Sequence, residues 1–124
     1  MTGSSTYKLV LLSHGDTAGG SKDKYAGWRD VDLSDRGKLE ATLAGQVMKE
    51  QGFHFHVVFA SVLRRSVRTT WLALMEMASC SMPVVRTWRL NDRHYGILQD
   101  VLPEEALEQH GSHDLDDWTL GRAG

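Results

Sequence analysis

The chain has 124 residues, a formal net charge of −2 and one cysteine, Cys80. That length supports one domain with one core. The near-neutral balance gives no global electrostatic reason to bind nucleic acid or membrane, and no apolar run approaches the roughly 18 residues of a spanning helix. A lone cysteine has no internal disulfide partner and suits a reducing cytoplasm; Cys80 itself reads as a small buried hydrophobe.

In chain order, residues 1–6 form a polar lead without a signal-peptide core. Tyr7-Lys8-Leu9-Val10-Leu11-Leu12 is a short apolar run that reads as a buried strand. A long loop over 13–32 carries Gly15, Gly19, Gly20 and Gly27. Ser34 is placed to cap a helix, with Leu33 before it as a staple residue. Leu39, Leu43, Val47 and Met48 recur at helical spacing and predict its apolar face, and Gly52 is a natural stop. Residues 55–60 read as a second strand. Ser61 is placed to cap a second helix over 62–78, with Val62, Val67, Trp71, Leu74 and Met75 as its apolar positions. After Pro83, residues 84–87 make a third strand. Pro103 fits a first helical position ahead of 104–109, whose acidic residues suit a helix N-terminus. Alternating strands and helices predict parallel pairing through right-handed crossovers.

The apolar run at 7–12 ends in Ser13-His14-Gly15. A histidine at the carboxyl edge of an open α/β sheet stands where such sheets place their chemistry. The glycine lets backbone approach the ring, so that a carbonyl can fix the tautomer and leave the other nitrogen free to attack. On these residues alone His14 is either a phosphoryl acceptor or an ordinary surface histidine.

Three further segments follow: Gly27-Trp28-Arg29-Asp30-Val31-Asp32-Leu33-Ser34, Ala60-Ser61-Val62-Leu63-Arg64-Arg65-Ser66, and Trp88-Arg89-Leu90-Asn91-Asp92-Arg93-His94-Tyr95-Gly96. In this order and spacing, with the His14 junction, the chain resembles the cofactor-dependent phosphoglycerate mutases of the histidine phosphatase superfamily, from about Tyr7 to about Trp118. The resemblance implies an α/β three-layer sandwich with a mostly parallel sheet, truncated, spanning 7–120, with 121–124 as a tail. It implies a glycolytic isomerase that exchanges a phosphoryl group between 3- and 2-phosphoglycerate through a phosphohistidine, with 2,3-bisphosphoglycerate as cofactor, no metal, and homodimers. His14 matches the phosphoryl-accepting histidine and Arg65 the arginine that holds its phosphate. Arg93 and Tyr95 match substrate contacts, as does Gly27. Asp92 stands where the resemblance implies a glutamate that donates and accepts a proton. It is one methylene shorter, and a retreat of about 1 Å from a reacting oxygen can cost on the order of 100-fold in rate.

Departures from the pattern bear on activity. Ser13 replaces an arginine beside the histidine, and Gly19-Gly20 replaces a Trp-Asn pair. Ala26 replaces a hydroxyl residue, Pro103 a lysine, and Thr119 and Leu120 a pair of arginines. The second active-site histidine would fall beyond Gly124, and about half of a usual family domain is absent. From His94 to Gly121 there is no Lys or Arg, while seven acidic residues fall there. Loss of one transition-state donor costs on the order of 10²–10³ in rate, and such losses are not additive. The expectation is a mutase-like enzyme with strongly reduced or no activity. The competing reading is a catalytically silent member that serves as a binding or interaction module. A metal site at His54 and His56 is a third, weaker idea, since two ligands make no structural zinc site. An open sheet edge near Val85 predicts self-association by strand pairing, which lysine at Val85 would weaken.

Overall fold

The computed structural model describes residues 6–18, 26–99 and 101–112. Helix α1 spans Asp35–Glu50. It starts as the sequence predicts, with the Ser34 side chain accepting from the Gly37 N–H at 3.1 Å. It ends at Gly52, with Gly52 N–H donating to Lys49 O and Phe53 N–H to Met48 O, so the last carbonyls are satisfied as the backbone turns away. Strand β1 (Val58–Ala60), helix α2 (Arg64–Glu76) and strand β2 (Val84–Arg86) follow. Short 3₁₀ turns cover Trp88–Leu90 and Gly96–Leu98, and helix α3 covers Pro103–His110. Pro103 takes the first helical position, and the Glu105 carboxylate accepts from the Leu102 N–H at 3.3 Å.

Strands β1 and β2 pair in parallel, Val58 opposite Val84 and Ala60 opposite Arg86, with α2 as the crossover. This is a small α/β unit with a parallel sheet, as the alternation of elements predicts. Both strands are shorter than the apolar runs that contain them.

The predicted strand at 7–12 forms no ladder. Tyr7, Leu9 and Leu11 are exposed. Residues 8–12 instead line one cavity of about 500 Å³ together with Val57, Phe59 and Leu74, so open space separates the run from β1 where ladder bonds would form. An apolar run specifies burial, not a partner, and here the ladder partner is lacking.

The apolar face predicted for α1 is also not the face that packs. Leu39, Leu43 and Val47 are 59%, 48% and 54% exposed, while Gly37, Ala41 and Gly45 are buried. Helix α1 meets α2 at Gly45, while Gly37 packs on the backbone of Asp16. A Cβ on Gly45 would stand 2.5 Å from Ala73 O, so the backbones approach closer than larger side chains permit. On α2 the predicted positions divide: Trp71 and Met75 are exposed, whereas Leu74 is buried together with Arg65, Thr69 and Ala73. Leu33, Ala60, Leu63 and Met77 complete this core. A second, smaller cluster places Leu98 on Ala106, flanked by Tyr95 and Val101.

Two further expectations are corrected. Ser61 does not cap α2; its hydroxyl accepts from Leu63 N–H, one residue too early, and the cap comes from elsewhere in the chain. Cys80 is exposed, because it lies in the turn beyond α2 and not on its packed face.

Helix α2 closes as α1 does, but with Ala78 at φ +55° in the glycine position. Ala78 N–H donates to Met75 O and Ser79 N–H to Leu74 O. A left-handed alanine carries about 1–2 kcal/mol of strain that glycine lacks. Ala78→Gly is therefore expected to raise the unfolding free energy by about 1 kcal/mol in urea titrations. A loss of stability would show that the turn is not strained.

Candidate functional site

The first turn of α2 gathers the 26–33 loop. The N-terminal N–H groups of a helix lack intrahelical partners, and the Asp30 carboxylate takes that of Arg64 at 2.7 Å. One turn on, Arg68 makes two 2.8 Å bonds to Asp32. Between them Arg65 is buried, 1% exposed. Its Nη1 donates to Arg29 O at 2.8 Å and its Nη2 to Gly27 O at 2.6 Å. The register follows from two periodicities. Alternate residues of an extended segment lie about 6.6 Å apart, close to the 6 Å rise between helical positions four apart. Asp30 and Asp32 thus meet Arg64 and Arg68, while the carbonyls of Gly27 and Arg29 converge on Arg65.

Electrostatics follow the same contacts. Hydrogen bonding to Arg68 holds the Asp32 carboxyl below the usual aspartate range, against a smaller opposing effect of burial. The same bond raises Arg68. Burial pulls Arg65 below its ordinary value, opposed by the charges of Asp92 and Asp30.

The 88–99 segment closes over this loop. Asp92 Oδ2 lies 3.9 Å from Arg65 Nη2. Trp28 Nε1 donates to Asp92 O at 2.7 Å, and Trp28 N–H to the Gln99 side-chain carbonyl at 3.0 Å. Gly27 has φ +54°, and a Cβ there would stand 2.6 Å from Gln99 Oε1, so the junction requires glycine. Arg93 places its guanidinium carbon 5.1 Å from the Tyr95 ring centroid. The Trp28 ring meets those of Trp88 and His94 edge-on, at 6.2 and 5.5 Å.

His14 is exposed, and its Nδ1 lies 2.8 Å from Gly15 O. A carbonyl only accepts, so Nδ1 carries the proton and Nε2 keeps its lone pair. This is the tautomer the His-Gly pair predicts. His14 lines the apolar cavity beside residues 8–12, with Thr87 and Arg89, and Arg65, Asp92 and Arg93 are not among that cavity's lining residues.

The structure thus joins Gly27, Arg65, Asp92, Arg93 and Tyr95 in one layer, while His14 lines the apolar cavity. Trp28, Asp30, Asp32, Arg68 and Gln99 complete that layer and were not singled out from the sequence. The matched two-residue and four-residue spacings of Asp30/Asp32 and Arg64/Arg68 were the available signal. Gly19, Gly20, Trp118, Thr119 and Leu120 lie outside the described residues, as do most of the polar lead and the tail. Ser13 and Pro103 are exposed. Among the described residues no group of three or more His, Cys, Asp or Glu side chains could hold a metal ion, and no helix is long and apolar enough to cross a membrane.

Strand, crossover helix and parallel strand make a small α/β unit, with His14 at the end of the apolar run that precedes it. Residues 9–123 match the Histidine phosphatase superfamily (branch 1), and the chain belongs to that family. It is 40% identical over 111 residues to a 2,3-bisphosphoglycerate-dependent phosphoglycerate mutase of Blochmanniella pennsylvanica (strain BPEN), covering 90% of this chain and 48% of the relative. The chain therefore spans about half the length of that curated relative. Solved structures share the fold: phosphoglycerate mutase from Bacillus anthracis str. Sterne has TM-score 0.70 at 20% identity, over 88% of this chain and 54% of that one. YhfR of Bacillus stearothermophilus gives 0.73 at 19% identity, over 90% and 54%.

Arg65→Met leaves two loop carbonyls without their charged donor, and should cost about 2–4 kcal/mol of stability. Arg64→Met, at an exposed pair, should cost less than about 0.5 kcal/mol. Equal losses in chemical denaturation would remove Arg65 from its role as the clamp.

Because Asp32 is depressed in the folded state, its stabilisation is present above the ordinary aspartate value of about 3.9. It is lost as pH falls through the lower folded value. Wild type should accordingly exceed Asp32→Asn in melting temperature at neutral pH, and the gap should shrink in acid. A gap that widens in acid would contradict the sign.

Proposed function

We propose that the chain is a phosphoglycerate mutase-like protein with strongly reduced or no mutase activity, in which His14 is the group that accepts a phosphoryl when one is transferred. The curated relative named above, a 2,3-bisphosphoglycerate-dependent mutase, supports the substrate class. The observation that carries the reduced activity is the state of Arg65. A phosphate-holding arginine needs its N–H fork free for a dianion. Here two of its N–H groups already serve Arg29 O and Gly27 O, and the Asp92 carboxylate stands 3.9 Å away, where it repels an incoming phosphate. Asp92 also keeps a carboxylate for proton transfer, but within Arg65's field and one methylene short. Beside His14, Ser13 supplies a hydroxyl and no charge.

The residues present therefore fit 2,3-bisphosphoglycerate poorly. Arg93, Tyr95 and Gly27 remain the proposed substrate contacts, for a phosphoglycerate-type small molecule. A second reading, a silent member that acts as a binding module, is favoured by the exposed apolar face of α1. Self-association as a homodimer belongs to both readings. A reducing cytoplasm suits the exposed thiol of Cys80.

Incubation with 2,3-bisphosphoglycerate followed by intact-mass analysis tests the site. The expected result is a minor phosphorylated species that His14→Ala abolishes. Phosphate on another histidine, unchanged in His14→Ala, would end the assignment. In a coupled 3-phosphoglycerate assay turnover should be near background; a rate near the roughly 10 s⁻¹ typical of enzymes would overturn the reduced-activity reading.

A further inference from the structure

Two extended segments face one apolar cavity, and each turns an unpaired backbone edge toward it. In β1 the bonds to β2 fall on alternate residues: Val58 N–H donates to Pro83 O and Ala60 O accepts from Thr87 N–H, both at 2.9 Å. The N–H and C=O of Phe59 therefore point to the other edge of β1. On the opposite side, the backbone groups of residues 8–12 have no hydrogen-bond partner among the described residues. Residues 8–12, Val57, Val58 and Phe59 line the same space of about 500 Å³, together with Thr69, Ala73 and Leu74 of α2.

The walls specify the occupant. A small apolar ligand would fill the space and leave both rows of N–H and C=O groups unmet. An extended backbone carries donors and acceptors on both of its edges and meets the two rows at once. One strand between two others stands about 4.8 Å from each, and its side chains alternate between the two faces of the sheet. On one face they meet Ala73 and Leu74. On the other they stand beside Leu9, Leu11 and Phe59, which are 84%, 86% and 61% exposed. Such a strand is therefore apolar on both faces. The charged residues that line the cavity are Lys8, at the start of the run, and Arg89, beyond the end of β2; both are exposed. No Asp or Glu among the described residues lines it. The occupant is accordingly apolar in its centre and acidic at its ends. The extended segments of this chain carry Lys8 and Arg86 in place of acidic residues, which makes a second copy the poorer occupant.

We propose that this cavity is a slot for one β-strand of a different polypeptide, an extended apolar segment with acidic flanks that inserts between residues 8–12 and β1. It bonds Phe59 on one edge and the 8–12 backbone on the other. In this mode main-chain hydrogen bonds supply affinity and the alternate side chains supply specificity. The slot does not depend on His14 carrying a phosphoryl group. It is also distinct from the outer edge of β2, to which the register turns the amides of Val84 and Arg86.

A synthetic peptide of alternating valine and isoleucine between pairs of glutamates tests this, alongside the same peptide N-methylated at alternate residues. N-methylation keeps every side chain and removes the donors of one edge. Titration calorimetry should show the first peptide binding, and the second binding at least about 10-fold more weakly. Amide exchange followed by NMR should slow at Phe59 and across 8–12 with the first peptide, with Val84 and Arg86 unchanged. Both arms use the unsubstituted chain, so no loss of fold intervenes. Equal affinity for the two peptides would overturn the strand slot and leave a cavity for apolar ligands. Protection at Val84 and Arg86 in place of Phe59 would put the peptide on the outer edge of β2 and overturn it as well. So would the absence of binding at about 1 mM peptide.

Discussion

One buried guanidinium holds this structure's functional layer together. Arg65 sits on the first turn of α2, 1% exposed, and binds backbone carbonyls of the 26–33 loop, with the Asp92 carboxylate 3.9 Å away. Two charge-assisted bonds of this kind contribute about 1.5–3 kcal/mol each. That is a large share of the stability of a small domain. Asp30 and Asp32 bind on either side of it, and Trp28 extends the attachment to Asp92 and Gln99. Without Arg65, the loop would keep Asp30 and Asp32 as attachments to α2 but lose its buried one.

The same bonds determine what the layer can do. Two of the five guanidinium N–H donors of Arg65 are committed to backbone carbonyls, and the carboxylate 3.9 Å away lowers the local potential. His14 is exposed, holds Nδ1 2.8 Å from Gly15 O, and stands at the wall of an apolar cavity. The family fold is present, with Lys8 and Arg89 lining the same cavity as His14.

Short-range features were legible in the sequence. Ser34, Gly52 and Pro103 act within one helical turn, and each does what its residue type dictates. The parallel crossover followed from the alternation of elements. Face selection was not legible, because hydrophobicity ranks residues for burial but does not say which helix surface has a neighbour. The Gly37, Ala41 and Gly45 seam packs because it allows close backbone approach, and the Leu39, Leu43 and Val47 stripe is left outside. The run at 7–12 was misread for a related reason: it has strand composition and no ladder partner. At the site, the sequence resemblance identified Arg65 as important but not the direction of its donors. The matched spacing of Asp30 and Asp32 with Arg64 and Arg68 is the signal the sequence holds for the way α2 binds the loop.

Nitrogen-15 NMR of the arginine side chains tests the central claim most directly. If Arg65 is a structural clamp, its guanidinium N–H signals are resolved, exchange slowly with water, and keep their positions as inorganic phosphate or 2,3-bisphosphoglycerate is added. Fast-exchanging Arg65 signals that shift on titration, with signals from residues 27–29 unchanged, would contradict it and return Arg65 to phosphate binding.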